Sequence, residues 1–140
     1  MNKKVWMSAV AAYITFAVLD FLVNGVLLKS AYMETASLWR PEGEMIMWIP
    51  YVTNAVFAFF FSLIFSKGYE GKGIAEGVRY GLYIGLMFSI PMAYGSYAFM
   101  PIPYSLALQW FIYGTLQMII AGVVVAWVYG MKPKKAAQAS

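Results

Sequence analysis

Four long apolar runs, at residues 5–28, 45–66, 78–100 and 104–129, constrain this chain more than anything else in it. About 20 helical residues span the hydrocarbon core of a bilayer, and each run reaches that length. In lipid every backbone polar group must be satisfied inside the segment, so runs of this kind are helices. A β-barrel needs alternating segments of about ten residues, and none is present. The sequence therefore predicts an all-α integral membrane four-helix bundle over residues 1–131, followed by a basic cytoplasmic tail at 132–140.

Composition supports lipid as the main solvent. Hydrophobic residues make up 62% of the chain and charged residues 11%, against roughly 25% charged in soluble domains. Lys3-Lys4 before an apolar run also fits a cleavable signal peptide, but the run is too long for a signal core and Asp20 interrupts its far end. No internal repeat relates the helix pairs as in an inverted-repeat transporter.

Basic residues give the bundle a direction. Lys3, Lys4, Lys67, Lys72, Arg79, Lys132, Lys134 and Lys135 fall on one side, and Lys29 and Arg40 on the other. The positive-inside tendency then puts both termini and the 67–77 turn in the cytoplasm. Trp6, Trp48 and Trp127 sit near segment ends, where amphipathic rings prefer to lie. The expected location is the bacterial cytoplasmic membrane, crossed several times.

Within the membrane, two features stand out. Gly73, Gly77, Gly81 and Gly85 recur every fourth position and line one face at the start of the third helix. Small residues let another helix backbone approach closely, either inside the bundle or in a dimer or partner subunit. Gly81→Leu is expected to disrupt the fold or the assembly.

The second feature is polar. Asp20 is the only acidic residue deep within a run, and Asn24 follows one turn later. A carboxylate in hydrocarbon is costly unless it is hydrogen-bonded, paired or protonated. At about 1.5 Å per residue, Asp20 lies roughly 12 Å below the external end of its helix. The same counting puts Asn54, Tyr94, Ser96, Gln109 and Tyr113 in the external half, with Gln117 deeper. Two readings follow: hydrogen bonding between helices, or an externally open polar cavity that takes a proton, cation or small polar ligand. Pro91 removes one backbone hydrogen bond from the third helix and is expected to kink it near Ser89 and Tyr94, widening that half.

The loop at 29–44 mixes Tyr32, Met33, Leu38 and Trp39 with Arg40, Glu42 and Glu44. Such a segment suits the interface, turning at Pro41 and Gly43 into the second helix. Arg40 is placed to reach Glu42, Glu44 or Asp20. Arg79 is expected to snorkel to headgroups and Glu76 to favour a helix N-terminus.

The chain has no Cys and no His, which removes thiolate chemistry, imidazole ligation and Ser-His triads. Phosphate loops, dinucleotide fingerprints and paired hydrolase carboxylates are missing. No metal, cofactor or nucleic-acid partner is expected; anionic lipid is the natural contact of the short basic tail.

The segments Asn24-Gly25-Val26-Leu27-Leu28, Tyr32 and Leu38-Trp39-Arg40-Pro41-Glu42 resemble a family of uncharacterised bacterial four-helix transmembrane proteins. Glu76-Gly77-Val78-Arg79-Tyr80-Gly81-Leu82 and Ala121-Gly122-Val123-Val124-Val125-Ala126-Trp127 fit the same resemblance. It implies a similar four-helix layout and supplies no activity; such proteins often carry a His near this position, where this chain has Asn24.

The sequence thus points to a non-enzymatic membrane protein that associates with itself or serves as an accessory subunit, with the lipid bilayer as its surroundings. The alternative is a small transporter or channel component with a polar cavity around Asp20.

Overall fold

The computed structural model describes residues 3–130, apart from the Glu42 side chain. The basic tail at 132–140 lies outside the described residues. Helix α1 (Lys3–Leu22) runs on into a π-helical turn, Val23–Leu27, and is followed by the short helix α2 (Lys29–Glu34). Two 3-10 turns lead to α3 (Trp48–Lys67), then α4 (Ile74–Phe99) and α5 (Tyr104–Gly130). No strand occurs among the described residues. Four of these helical segments, Lys3–Leu27, Trp48–Lys67, Ile74–Phe99 and Tyr104–Gly130, are long and apolar enough to cross a membrane.

The helix ends differ from the hydropathy limits for local reasons. Helix α3 begins at Trp48 rather than 45 and places Pro50 in its first turn, where the missing N–H has no helical partner to lose. Helix α4 begins four residues before its apolar run, at Ile74. The buried Glu76 causes this early start. Its carboxylate accepts the backbone N–H groups of Glu70 (2.8 Å) and Lys72 (3.0 Å), tying the preceding loop to the first turn. Helix α4 then continues through Pro91 without interruption to Phe99.

The bundle is built around α1 and α5. Close packing joins α4 to α5, α1 to α3 and α1 to α5. Small side chains are buried on both α1 and α3: Ser8, Ala9 and Ala12 on one helix, Ala58 and Ser62 on the other. One core runs from Val5 and Phe16 through Phe61 and Phe65 to Ala121, Val125 and Tyr129.

The glycine row of α4 is consumed inside this bundle. A Cβ on Gly77 would lie 2.8 Å from the Gly122 carbonyl carbon, and one on Gly81 2.6 Å from Ile119 Cα. A Cβ on Gly85 would lie 3.0 Å from Thr115 Cα. Backbone approach of this kind is what small residues permit. Gly73 plays another part: it precedes α4 with φ 78°, and nothing lies within 4 Å of its Cβ direction. Its role is the left-handed turn that glycine tolerates.

A second, smaller core closes the end opposite the termini. Val23, Leu28, Ile102, Leu106 and Ala107 are buried there, with Tyr32, Leu38, Trp39 and Trp110 packed over them. The α1–α3 connection is thus folded back onto the end of α5.

Candidate functional site

Asp20 stands on α1, the helix flanked by both α3 and α5, and it is bonded to each. Asn54 Nδ2 of α3 donates to Asp20 Oδ2 at 3.0 Å. Gln117 Nε2 of α5 donates to Asp20 Oδ1, also at 3.0 Å. Asp20 is half-buried, as are Asn54 and Gln117. Each carboxylate oxygen therefore takes one amide N–H, and three helices are joined through one side chain. Hydrogen bonds to a carboxylate are stronger than neutral ones because the acceptor carries charge.

Depth counting along the sequence places Gln117 deeper than Asp20, yet the two are bonded. Depth counting takes the apolar runs to end level, and they do not. Gln117 is 13 residues beyond Tyr104, whereas Asp20 is 8 residues before Leu28. The difference is roughly 7 Å at about 1.5 Å per residue. Helix α5 reaches further out than α1, and the α2 segment packs on its projecting turns.

A second polar network lies one layer outward. Trp110 Nε1 donates to the Tyr32 hydroxyl at 2.7 Å, and that hydroxyl donates to Asn24 Oδ1 at 2.7 Å. Trp39 Nε1 donates to Thr35 Oγ1 at 2.8 Å. The rings of Tyr32, Trp39 and Trp110 pack together with centroids 5.6 to 6.4 Å apart. Burial pushes the Tyr32 phenol above its ordinary range; the Trp110 N–H works against this, and the nearby Asp20 charge adds to it. Asn24 itself sits in the π-helical turn that begins three residues after Asp20.

The other expected members are elsewhere. The Tyr94 hydroxyl lies 3.2 Å from that of Tyr104, at an exposed position. Tyr113 packs against the second core, and Gln109 and Ser96 are half-buried outside the Asp20 contacts. Arg40 and Glu44 are exposed, and Asp20 is bonded to the two amides rather than to Arg40.

At the end carrying the termini, Glu70 is paired with Lys72 (2.9 Å) and Arg79 (3.3 Å). The hydrogen bond and charge of Lys72, with the Arg79 charge behind them, hold the Glu70 carboxyl below its ordinary value. Lys4 Nζ donates to the Tyr129 carbonyl at 3.1 Å, linking the first turn of α1 to the last turn of α5. A cation there also complements the negative end of the α5 dipole.

Two features escaped the sequence. Depth counting along α5 places Gln117 away from Asp20, whereas the two are bonded. The Trp110–Tyr32 bond joins residues 78 apart and leaves no trace in periodicity. Among the described residues, no group of three or more acidic, Cys or His side chains has metal-binding geometry. No protein-family model, curated protein or solved structure matches the chain.

Proposed function

We propose that this chain is a non-enzymatic integral membrane protein of the bacterial cytoplasmic membrane, with both termini cytoplasmic, serving as an accessory or self-associating subunit. Its outward faces support the membrane setting. Val10, Val18 and Phe21 of α1, Phe60 and Ile64 of α3, Met87 of α4 and Ile120 of α5 are exposed, and water tolerates few apolar surfaces of that extent. Trp6, Trp48 and Trp127 are exposed at helix ends, the positions that suit membrane interfaces. Kinship with uncharacterised bacterial four-helix membrane proteins belongs to this proposal and rests on the 24–28 and 38–42 segments.

The observation that carries the non-enzymatic reading is the engagement of Asp20 by Asn54 and Gln117. A carboxylate committed at both oxygens to neighbouring helices serves assembly. With the α4 glycines packed on α5, association with another subunit uses the outward apolar faces.

The chain has no native Cys, so single-cysteine labelling tests the topology cleanly. Lys72→Cys should react only from the cytoplasmic side and Ser37→Cys only from outside. Light scattering in detergent and co-purification then read association; a monomer that brings down no partner removes the subunit reading.

A second reading, a small transporter or channel component, is favoured by one observation. Asp20 is met by neutral amides rather than a cation, and a π-helical turn follows directly. Intramembrane carboxylates and π-turns both concentrate at functional sites. Asp20-dependent flux in proteoliposomes, abolished by Asp20→Asn, would replace the first reading with this one.

A further inference from the structure

We propose that the seam between α3 and α4 is a groove for an anionic phospholipid, with an acyl chain in the seam and the phosphate at its basic end. The inference rests on the membrane reading above.

Helices α3 and α4 are consecutive and joined by a short loop, yet the close helix contacts of the bundle are elsewhere. Aromatic rings bridge the space instead. Phe57 meets Phe88 edge-on at 5.4 Å, and Phe61 meets Tyr80 at 4.8 Å. These four side chains line a cavity of about 400 Å³ together with Val56, Phe60, Ile64 and Met87. The Tyr80 hydroxyl, which would otherwise present a polar group to the cavity, donates to the Phe61 carbonyl. Thr53, the other hydroxyl on the lining, donates to the Pro50 carbonyl, so the slot is almost wholly apolar and within the size range of ligand sites.

Charge distinguishes the two ends of the seam. Phe60, Ile64 and Lys67 follow one another at helical spacing on α3, so Lys67 extends the cavity wall to the terminal end. Lys67 is exposed, and Lys72 and Arg79 lie on the adjoining loop and first turns of α4. Both of those share the single exposed carboxylate of Glu70. The Glu76 carboxylate is turned away onto backbone N–H groups. Lys67 thus continues the cavity face of α3, with Lys72 and Arg79 at the same end of the bundle sharing the Glu70 carboxylate; the net positive charge at that end complements a phosphodiester above an acyl chain. A second helix fits less well: at about 10–12 Å in diameter, only about three residues of one would fill the cavity volume.

The test uses the full chain purified in detergent, incubated with phosphatidylglycerol or phosphatidylcholine of matched chains and examined by native mass spectrometry. Wild type should retain phosphatidylglycerol in preference to phosphatidylcholine. Val56→Trp or Met87→Trp, at exposed wall positions, should remove retention of both lipids. Lys67→Gln should weaken phosphatidylglycerol about fivefold and leave phosphatidylcholine unchanged. Retention by both tryptophan variants equal to wild type would assign the lipid to the general belt and overturn the proposal. So would a wild-type dimer that Val56→Trp converts to monomer, since the seam would then seat a second copy. Alkaline extraction of the same membranes reads insertion separately, so a failure of the membrane reading is told apart from a failure of the groove.

Discussion

Gln117 on α5 donates to the same carboxylate of Asp20 that Asn54 engages from α3, across 97 residues of sequence. Helix α1 is thereby held to both its neighbours at one depth. Asp20→Leu removes the acceptor and leaves two amides without it; Asp20→Asn keeps a single acceptor oxygen for them. Interhelical hydrogen bonds in membranes contribute about 0.6 kcal/mol on average and up to about 1.7. Asp20→Leu should therefore lower stability in detergent by about 1–3 kcal/mol, with Asp20→Asn between it and wild type. Thermal unfolding followed by circular dichroism gives the order.

Glycine substitutions should separate sharply by position. Gly81 faces α5 backbone, whereas nothing lies within 4 Å of a Cβ on Gly95. Gly81→Ala should cost about 1–3 kcal/mol through overpacking, and Gly81→Leu should prevent α4 from docking. Gly95→Ala should be neutral or stabilising by about 0.4–1 kcal/mol, because it restricts the unfolded chain without a clash. Equal midpoints for the two alanine variants would remove the α4–α5 backbone contact from the account.

Thr115 carries a buried hydroxyl with no hydrogen-bond partner. Valine matches its shape and removes the unsatisfied group, so Thr115→Val should leave stability unchanged or raise it by about 1 kcal/mol. A loss of more than that amount would reveal a partner for the hydroxyl.

The Glu70 carboxyl should titrate below its ordinary value of 4.5, because Lys72 hydrogen-bonds and attracts its charged form. A carboxyl whose folded value is depressed stabilises the fold at pH above the unfolded value, and loses that contribution as pH falls through the folded one. Full exposure keeps the effect on stability small, so the titration itself is the observable. Carboxyl carbon shifts in NMR should show the Glu70 midpoint rising toward 4.5 in Lys72→Gln.

The helices were legible because hydropathy over 20 residues is a strong signal, and the glycine row because period four places it on one face. The start of α4 was not legible. Glu76 suits a helix N-terminus by charge, but its bonds to the backbone of Glu70 and Lys72, which tie the preceding loop to the first turn, leave no mark in hydropathy. Asp20 drew notice as a carboxylate in an apolar run. Its Gln117 partner did not, because spans counted from their own ends carry no information about how far one helix projects past another. The Tyr32–Trp39–Trp110 cap escaped for a related reason: aromatic residues in a loop signal an interface as readily as a fold-back onto α5. Pro91 lies inside α4, where its place in an apolar run of helical length puts it, and the helix continues through it to Phe99.

The central claim is that Asp20 works as the joint between α1 and its two neighbours. A double-mutant cycle between Asp20→Ala and Gln117→Ala, measured by unfolding in detergent and paired with proteoliposome flux, tests it most directly. The account predicts a coupling of about 0.6–1.7 kcal/mol, with no flux that depends on Asp20. Additive effects of the two substitutions, together with flux lost in Asp20→Ala, would contradict it.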